Sequence, residues 1–247
     1  KKGAIFLSTP FSRKAADRLV KFGVKAFKIG SGECNNFPLV DYIASFGKPV
    51  IISTGMNDVK SIIKAIRILK KRKVQYAILH TTNLYPTMYS EVRLNALIEL
   101  KNTFPNTVIG LSDHTGDNYT SYAAVAMGAS IIEKHFIDSS SRKGPDISAS
   151  VNTRQMIELI NGVNSIYKAI PGGIKPIPRE RKTANFAFAS VVANNDLEKG
   201  TTLNKKNIWV RRPGNGDFTA EQYYSLIGKK IKSRVKKNTQ IKKSHFN

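Results

Sequence analysis

VIISTGMNDVKSIIKAIRILKKRKVQYAILHT (50–81) decides the fold. It opens on a short β-rich run, VIIST (50–54), and closes on another, YAILHT (76–81). Between them Ile62, Ile63, Ile66 and Leu69 fall on one face of a helical pattern over 58–72. Asn57 is the expected N-cap, and Lys70, Lys71, Arg72 and Lys73 end the helix where cations complement its dipole. Two apolar strands joined by an amphipathic helix form a parallel βα unit.

The unit recurs on both sides. Strand-like runs AIFLST (4–9), AFKIGS (26–31), TVIGLSD (107–113) and SIIEKHF (130–136) join the two above, and successive starts lie 22, 24, 26, 31 and 23 residues apart. Helical stretches at 13–22, 38–46, 91–103, 118–127 and 153–168 fill the intervals. Six units at so even a period favour a (β/α) barrel over a doubly wound sheet. A closed barrel of this kind has eight strands. Two βα units are therefore expected to be missing ahead of Lys1, which is not a Met.

Composition narrows the class. The chain has 247 residues, 41% hydrophobic and 23% charged, which suits a globular protein and excludes a wholly disordered one. No apolar run approaches the roughly 18–20 residues of a membrane span. A single cysteine, Cys34, excludes an internal disulfide and fits a reducing, cytoplasmic setting; its expected state is an inert thiol. The net charge is +23, of which +9 lies in residues 186–247. Without a zinc-finger spacing or an RNA-binding aromatic signature, this reads as a solvated surface rather than a nucleic-acid or membrane site. A salt-insensitive interaction with nucleic acid would remove that alternative altogether.

The strand ends are polar throughout: Ser8-Thr9, Lys28 with Ser31, Ser53-Thr54, His80 with Asn83, Ser112-Asp113-His114 and Glu133-Lys134-His135. In a βα barrel these ends converge on one mouth, where chemistry is done. His114 and His135 end adjacent strands and can meet on a divalent ion, or serve as two hydrogen-bonded pocket histidines. His80 is expected to be packed. Lys28, Ser31, Ser53, Asn83 and Ser112 offer a cation and neutral donors to a phosphate or carboxylate, or simply cap the strand ends. An inward Lys28 in an apolar strand is the hardest of these to explain without a partner.

After the last helix, PGGIKPIP (171–178) reads as part of a linker over 171–185. Residues 186–247 form a small β-rich module with runs FAFASVVA (186–193) and NIWVRR (207–212) and a short helix near 219–226.

Nine stretches in order resemble the N-acetylneuraminate (sialic acid) synthase family: FLSTPFS (6–12), FKIGSGECNNFPL (27–39), GKPVIISTGM (47–56), LHTTNLYPT (79–87), GLSDHTGDNY (110–119), EKHF (133–136), GPD (144–146), FAFASVVA (186–193) and WVRRPGNGDF (209–218). The resemblance implies a (β/α)8 TIM-type barrel in residues 1–170, lacking its first two units, then an antifreeze-like SAF domain in 186–247. It implies a transferase that condenses phosphoenolpyruvate with N-acetylmannosamine and water, giving sialic acid and phosphate. A related legionaminate- or pseudaminate-type synthase would share the same motifs with another amino-sugar acceptor. A non-catalytic carbohydrate-binding or ice-binding protein built on the SAF module is the alternative of a different class.

By the same resemblance His114 and His135 hold the metal, most often Mn²⁺. Thr9, Lys28, Ser31, Ser53, Asn83 and Ser112 bind phosphoenolpyruvate, and Tyr85 and Asp146 the sugar. Arg212 reaches a neighbouring mouth in a domain-swapped homodimer. Glu33 and Glu133 fall in the pocket, Glu133 as a candidate for moving protons. A chain missing two barrel units is expected to be inactive and aggregation-prone on its own.

Overall fold

The computed structural model of the chain describes residues 3–139 and 141–246. They divide into two units between Pro171 and Gly172.

The first unit carries one parallel sheet of six strands: β1 (Phe27–Ile29), β2 (Val50–Ser53), β3 (Tyr76–Thr81), β4 (Val108–Asp113), β5 (Ile131–Phe136) and β6 (Ser150–Val151). Spatial order equals chain order, with no reversal at which a doubly wound sheet would switch direction. The sheet also curls. Lys28 on β1 and Glu133 on β5 are separated by three strands, yet their charged groups are 3.3 Å apart. Three intervening strands at about 4.8 Å spacing would keep them far apart on a flat sheet. Sequential order and curl together make this part of a barrel wall.

Helices α1 (Arg13–Lys21), α2 (Phe37–Ala44), α3 (Val59–Lys71), α4 (Tyr89–Val92), α5 (Asn95–Thr103), α6 (Tyr119–Ala126) and α7 (Thr153–Ala169) alternate with the strands. Strand alternation sends Phe27, Ile29, Val50, Ile52, Ile78, Ile109 and Leu111 outward, into a core with Leu19, Ile43, Ile66, Leu69 and Leu100 from the helices. Each such buried side chain contributes roughly 1.5–3 kcal/mol. The opposite parity, Lys28, Ser53, Thr81, Ser112, Glu133 and His135, lines the inner face.

Four local expectations change. Residues 4–9 do not form a strand: Ile5 and Phe6 are exposed, and Lys28 N donates to Ser8 O at 3.2 Å without a ladder following. The sixth strand is instead Ser150–Val151, paired with His135 and Phe136, a run too short to show as alternation. The cap of α3 is Asp58, whose carboxylate accepts from Ser61 N at 2.8 Å. Asn57 donates from its side chain to Ser31 O and Gly55 O, at 2.9 and 2.7 Å, and so ties the loop after β2 to the loop after β1. Finally, the helix expected over 91–103 breaks at Arg93, which takes a left-handed φ of 56° between α4 and α5.

The second unit pairs β7 (Ser190–Ala193) antiparallel with β8 (Ile208–Arg211). Val191, Leu197, Leu203, Ile208, Leu226, Ile231 and Ile241 form its core, Leu226 from the short helix α9 (Tyr223–Leu226). The expected linker 171–185 is partly folded: α8 (Arg181–Ala187) occupies its end and takes Phe186 and Ala187 out of the expected β run. Gly214 N donates to Asn185 O at 2.8 Å, and a Cβ at 214 would lie 2.5 Å from that of Phe188. Only a glycine lets the chain after β8 approach the end of α8 this closely.

Candidate active site

The curl gathers strand ends that are distant in sequence. Ser112 Oγ donates to Glu133 Oε1 at 2.6 Å, and the same oxygen faces Lys28 Nζ at 3.3 Å. The Lys28 side chain is 12% exposed and that of Glu133 40%, so the cation is largely sheltered and its counter-ion opens to solvent. This answers how an inward lysine survives in an apolar strand: a carboxylate from across the arc neutralises it.

Beside this pair lie buried oxygens without partners. Ser53 Oγ, Thr81 Oγ1 and Asn83 Oδ1 make no hydrogen bond. Each such atom costs about 1–3 kcal/mol of lost hydration, a cost a polar ligand would remove. Ser31 Oγ accepts from Gly55 N at 3.0 Å. A Cβ on Gly55 would sit 1.8 Å from Asn83 Oδ1 and 2.9 Å from Ser31 Oγ, so the glycine is what lets these side chains meet. Thr81 was not among the expected residues. Its parity with Leu79 on β3 is the signal that would have placed it on the inner face.

The two histidines stand together. Their ring centroids are 5.1 Å apart and nearly perpendicular, at 81°. Tyr85 stacks on His114 at 4.2 Å and meets His135 edge-on at 5.6 Å. His114 Nδ1 lies 2.8 Å from Thr82 O. A carbonyl can only accept, so Nδ1 carries the hydrogen and Nε2 offers its lone pair, the tautomer a metal requires. Burial holds the His114 pKa below the ordinary histidine range. His135 Nδ1 is 3.6 Å from Asp146 Oδ2.

These residues fit a divalent ion. A nitrogen bound at about 2.1 Å puts its ring centroid about 3.2 Å from the ion, and two rings meeting at between a right angle and the tetrahedral angle are then roughly 4.5–5.2 Å apart. Among the described residues no cluster of three or more His, Cys, Asp and Glu side chains is set to hold a metal.

Thr9 approaches the end of β1: a Cβ on Gly30 would touch its methyl at 3.6 Å. Glu33 accepts from Asn36 Nδ2 at 2.6 Å, at the N-cap of α2, which gives it a structural task there. Arg212 is exposed in the second unit, directly after β8.

His80 faces the helices, buried, with Nε2 donating to Val92 O at 2.6 Å. Burial lowers its pKa. Below about pH 6.5 the unfolded chain takes up a proton there that the folded chain refuses, so stability falls as pH drops through that value. Thermal unfolding at about pH 7.5 and 5.5 should show a smaller acid loss in His80→Gln than in the parent. Cys34 is fully buried, and burial pushes its thiol up to about 12. At about pH 8 it should resist an aromatic disulfide reagent in the native protein and react once the chain is unfolded.

Residues 1–175 match the NeuB family, and residues 188–247 match the SAF domain. The chain belongs to the NeuB family. It is 38% identical over 241 residues to the N,N'-diacetyllegionaminic acid synthase of Campylobacter jejuni, covering 96% of this chain and 72% of that one. It is 30% identical over 240 residues to the N-acetylneuraminate-9-phosphate synthase of Homo sapiens, covering 97% and 67%. The crystal structure of the N-acetylneuraminic acid (sialic acid) synthetase of Leptospira borgpetersenii, in complex with citrate, matches 74% of this chain and 64% of that one, with a TM-score of 0.70 and 31% identity. These NeuB relatives are synthases of sialic and related nonulosonic acids. Among the described residues no helix is long and apolar enough to cross a membrane.

Proposed function

We propose that the protein condenses phosphoenolpyruvate with an N-acetylated amino sugar and water, releasing a nonulosonic acid and inorganic phosphate. The observation that supports this most is the juxtaposition of Lys28, Glu133 and unpartnered strand-end oxygens with the His114–His135 pair on one inner face.

Lys28 and the hydroxyls of Ser31, Ser53, Thr81 and Ser112 balance the phosphate and carboxylate charge of phosphoenolpyruvate, with Asn83 and Thr9 beside them. Tyr85 and Asp146 hold the open-chain sugar so that its aldehyde carbon faces C3 of the enol phosphate. His114 and His135 would hold a divalent cation, Mn²⁺ in this reading, and the chemistry it would supply is Lewis-acid polarisation of the aldehyde oxygen. The C2=C3 electron pair forms the new bond to the aldehyde carbon, the aldehyde π pair moves to its oxygen, which takes up a proton, water adds at C2 with loss of a proton, and the tetrahedral centre expels phosphate by C2–O cleavage to leave a ketone. Glu133, bonded to Ser112 and open to solvent on one side, is placed to take the proton from that water. Holding both substrates in register contributes several kcal/mol of the acceleration. The family reading also assigns Arg212 to the mouth of a second subunit in a domain-swapped homodimer.

The test is phosphate release by the full-length protein that needs phosphoenolpyruvate, the amino sugar and Mn²⁺ together. No release by that protein with all three present overturns the proposal. N-acetylmannosamine is the first acceptor. The 38% identity to a diacetyllegionaminic acid synthase favours a second, a diacetylated amino sugar. Comparing kcat/KM for the two acceptors separates these readings; turnover with N-acetylmannosamine is expected, and turnover confined to the diacetylated sugar selects the second.

A further inference from the structure

Directly beneath the two histidines, on the other face of the sheet, lies a buried ion pair that the proposed chemistry does not use. Asp113 precedes His114, Lys134 precedes His135, and the two are register partners on β4 and β5. Lys134 Nζ is 3.0 Å from Asp113 Oδ2, and both side chains are 1% exposed. Asp113 Oδ2 also accepts from Thr120 Oγ1 and Ser121 Oγ on α6, at 2.6 and 2.7 Å. Asp113 Oδ1 accepts from Thr115 N and Oγ1, at 2.9 and 2.8 Å. Lys134 Nζ completes the network on Thr115 O at 2.6 Å and Thr115 Oγ1 at 3.2 Å.

A buried pair of this kind is a poor source of stability, because desolvation offsets its attraction; its best-attested use is to fix register. Register matters here. A slip of one residue between β4 and β5 would turn Glu133 and His135 to the helix side and bring Lys134 into the mouth. Opposite charges at one level, with every polar atom satisfied from α6 and the loop after β4, forbid that slip. The network also grips the chain on both sides of His114, at positions 113 and 115, while Thr87 N donates to His114 O at 3.0 Å.

We propose that Asp113 and Lys134 are positioning residues, which hold the spacing and aim of His114 and His135 from behind the sheet and so set the affinity of the pair for a divalent cation. The proposal rests on the reading of the two histidines as metal ligands. Mn²⁺ binding without substrates, followed by loss of the free-ion electron paramagnetic resonance signal, tests it. D113N/K134M removes both charges at similar volume and leaves the Thr115, Thr120 and Ser121 hydroxyls partners on the new amide. The double variant should keep the parent's circular dichroism and bind Mn²⁺ about 10- to 100-fold more weakly. Excess Mn²⁺ should restore its turnover, which a purely structural lesion would not allow. A folded double variant with the parent's Mn²⁺ affinity overturns the proposal and leaves the ligand reading intact. A parent protein that binds no Mn²⁺ overturns both. If the double variant does not fold, Thr115→Val decides: it keeps the ion pair but cuts the hydroxyl that links it to the loop, and Mn²⁺ affinity should fall several-fold, an unchanged value again overturning the proposal.

Discussion

His114→Ala should lower Mn²⁺-dependent phosphate release by at least about 10³-fold, because Lewis-acid stabilisation supplies several kcal/mol and each 1.4 kcal/mol is tenfold in rate. The ring is ideally placed for that loss to be specific. Its Nδ1 is committed to Thr82 O, its face to Tyr85, and its Nε2 to neither. Alanine removes the lone pair but leaves the β4 ladder and the Asp113–Lys134 pair untouched, so circular dichroism should match the parent. His135→Ala should act in the same direction. Its ring is less buried and its Nδ1 faces Asp146 at 3.6 Å, so the fold has still less to lose. Turnover within tenfold of the parent in both variants, still abolished by a chelator, would place the metal elsewhere.

The second large effect belongs to Lys28. Lys28→Met keeps the aliphatic stem but removes the charge, and kcat/KM for phosphoenolpyruvate should fall about 10²–10³-fold, the usual loss for one preorganised electrostatic contact at a reacting oxyanion. The substitution also strips Glu133 of its counter-ion at 3.3 Å. Glu133→Gln separates the two consequences. It leaves the cation in place and removes a proton acceptor, so kcat should drop with little change in KM. The double variant should lose less than the product of the single losses, since residues in direct contact do not act independently. Equal KM for phosphoenolpyruvate in parent and Lys28→Met would show that the anion is held by neutral donors alone.

Much of this architecture could be read from residue order. Apolar strands at near-constant spacing, each ending in polar side chains, were sufficient to anticipate the sequential parallel sheet and the meeting of His114 with His135. What escaped did so for physical reasons. The 4–9 run has the composition of a strand, but strand formation needs a paired neighbour, which composition does not report. Ser150–Val151 is a strand only because His135 and Phe136 lie beside it. Asn57 and Asp58 are both good caps, and the choice fell to the one whose carboxylate reaches Ser61 N, freeing Asn57 to bind two loops together. Asp113 and Lys134 are visible in the sequence as polar strand-end residues and Thr81 is not singled out there, because the roles of all three depend on which face each occupies. The hydrogen bond of Glu33 to Asn36 at the start of α2 is likewise legible only once the loop after β1 is folded.

Gly55 gives the site an unusual kind of fragility. Position 55 contributes no charge and no side-chain donor, yet a single added methyl group would claim the volume that Asn83 Oδ1 fills. In a saturation-mutagenesis map it should appear as an intolerant column among residues whose chemistry is far more conspicuous. The mouth therefore depends on an absence of volume at 55 as well as on the charges and donors around it.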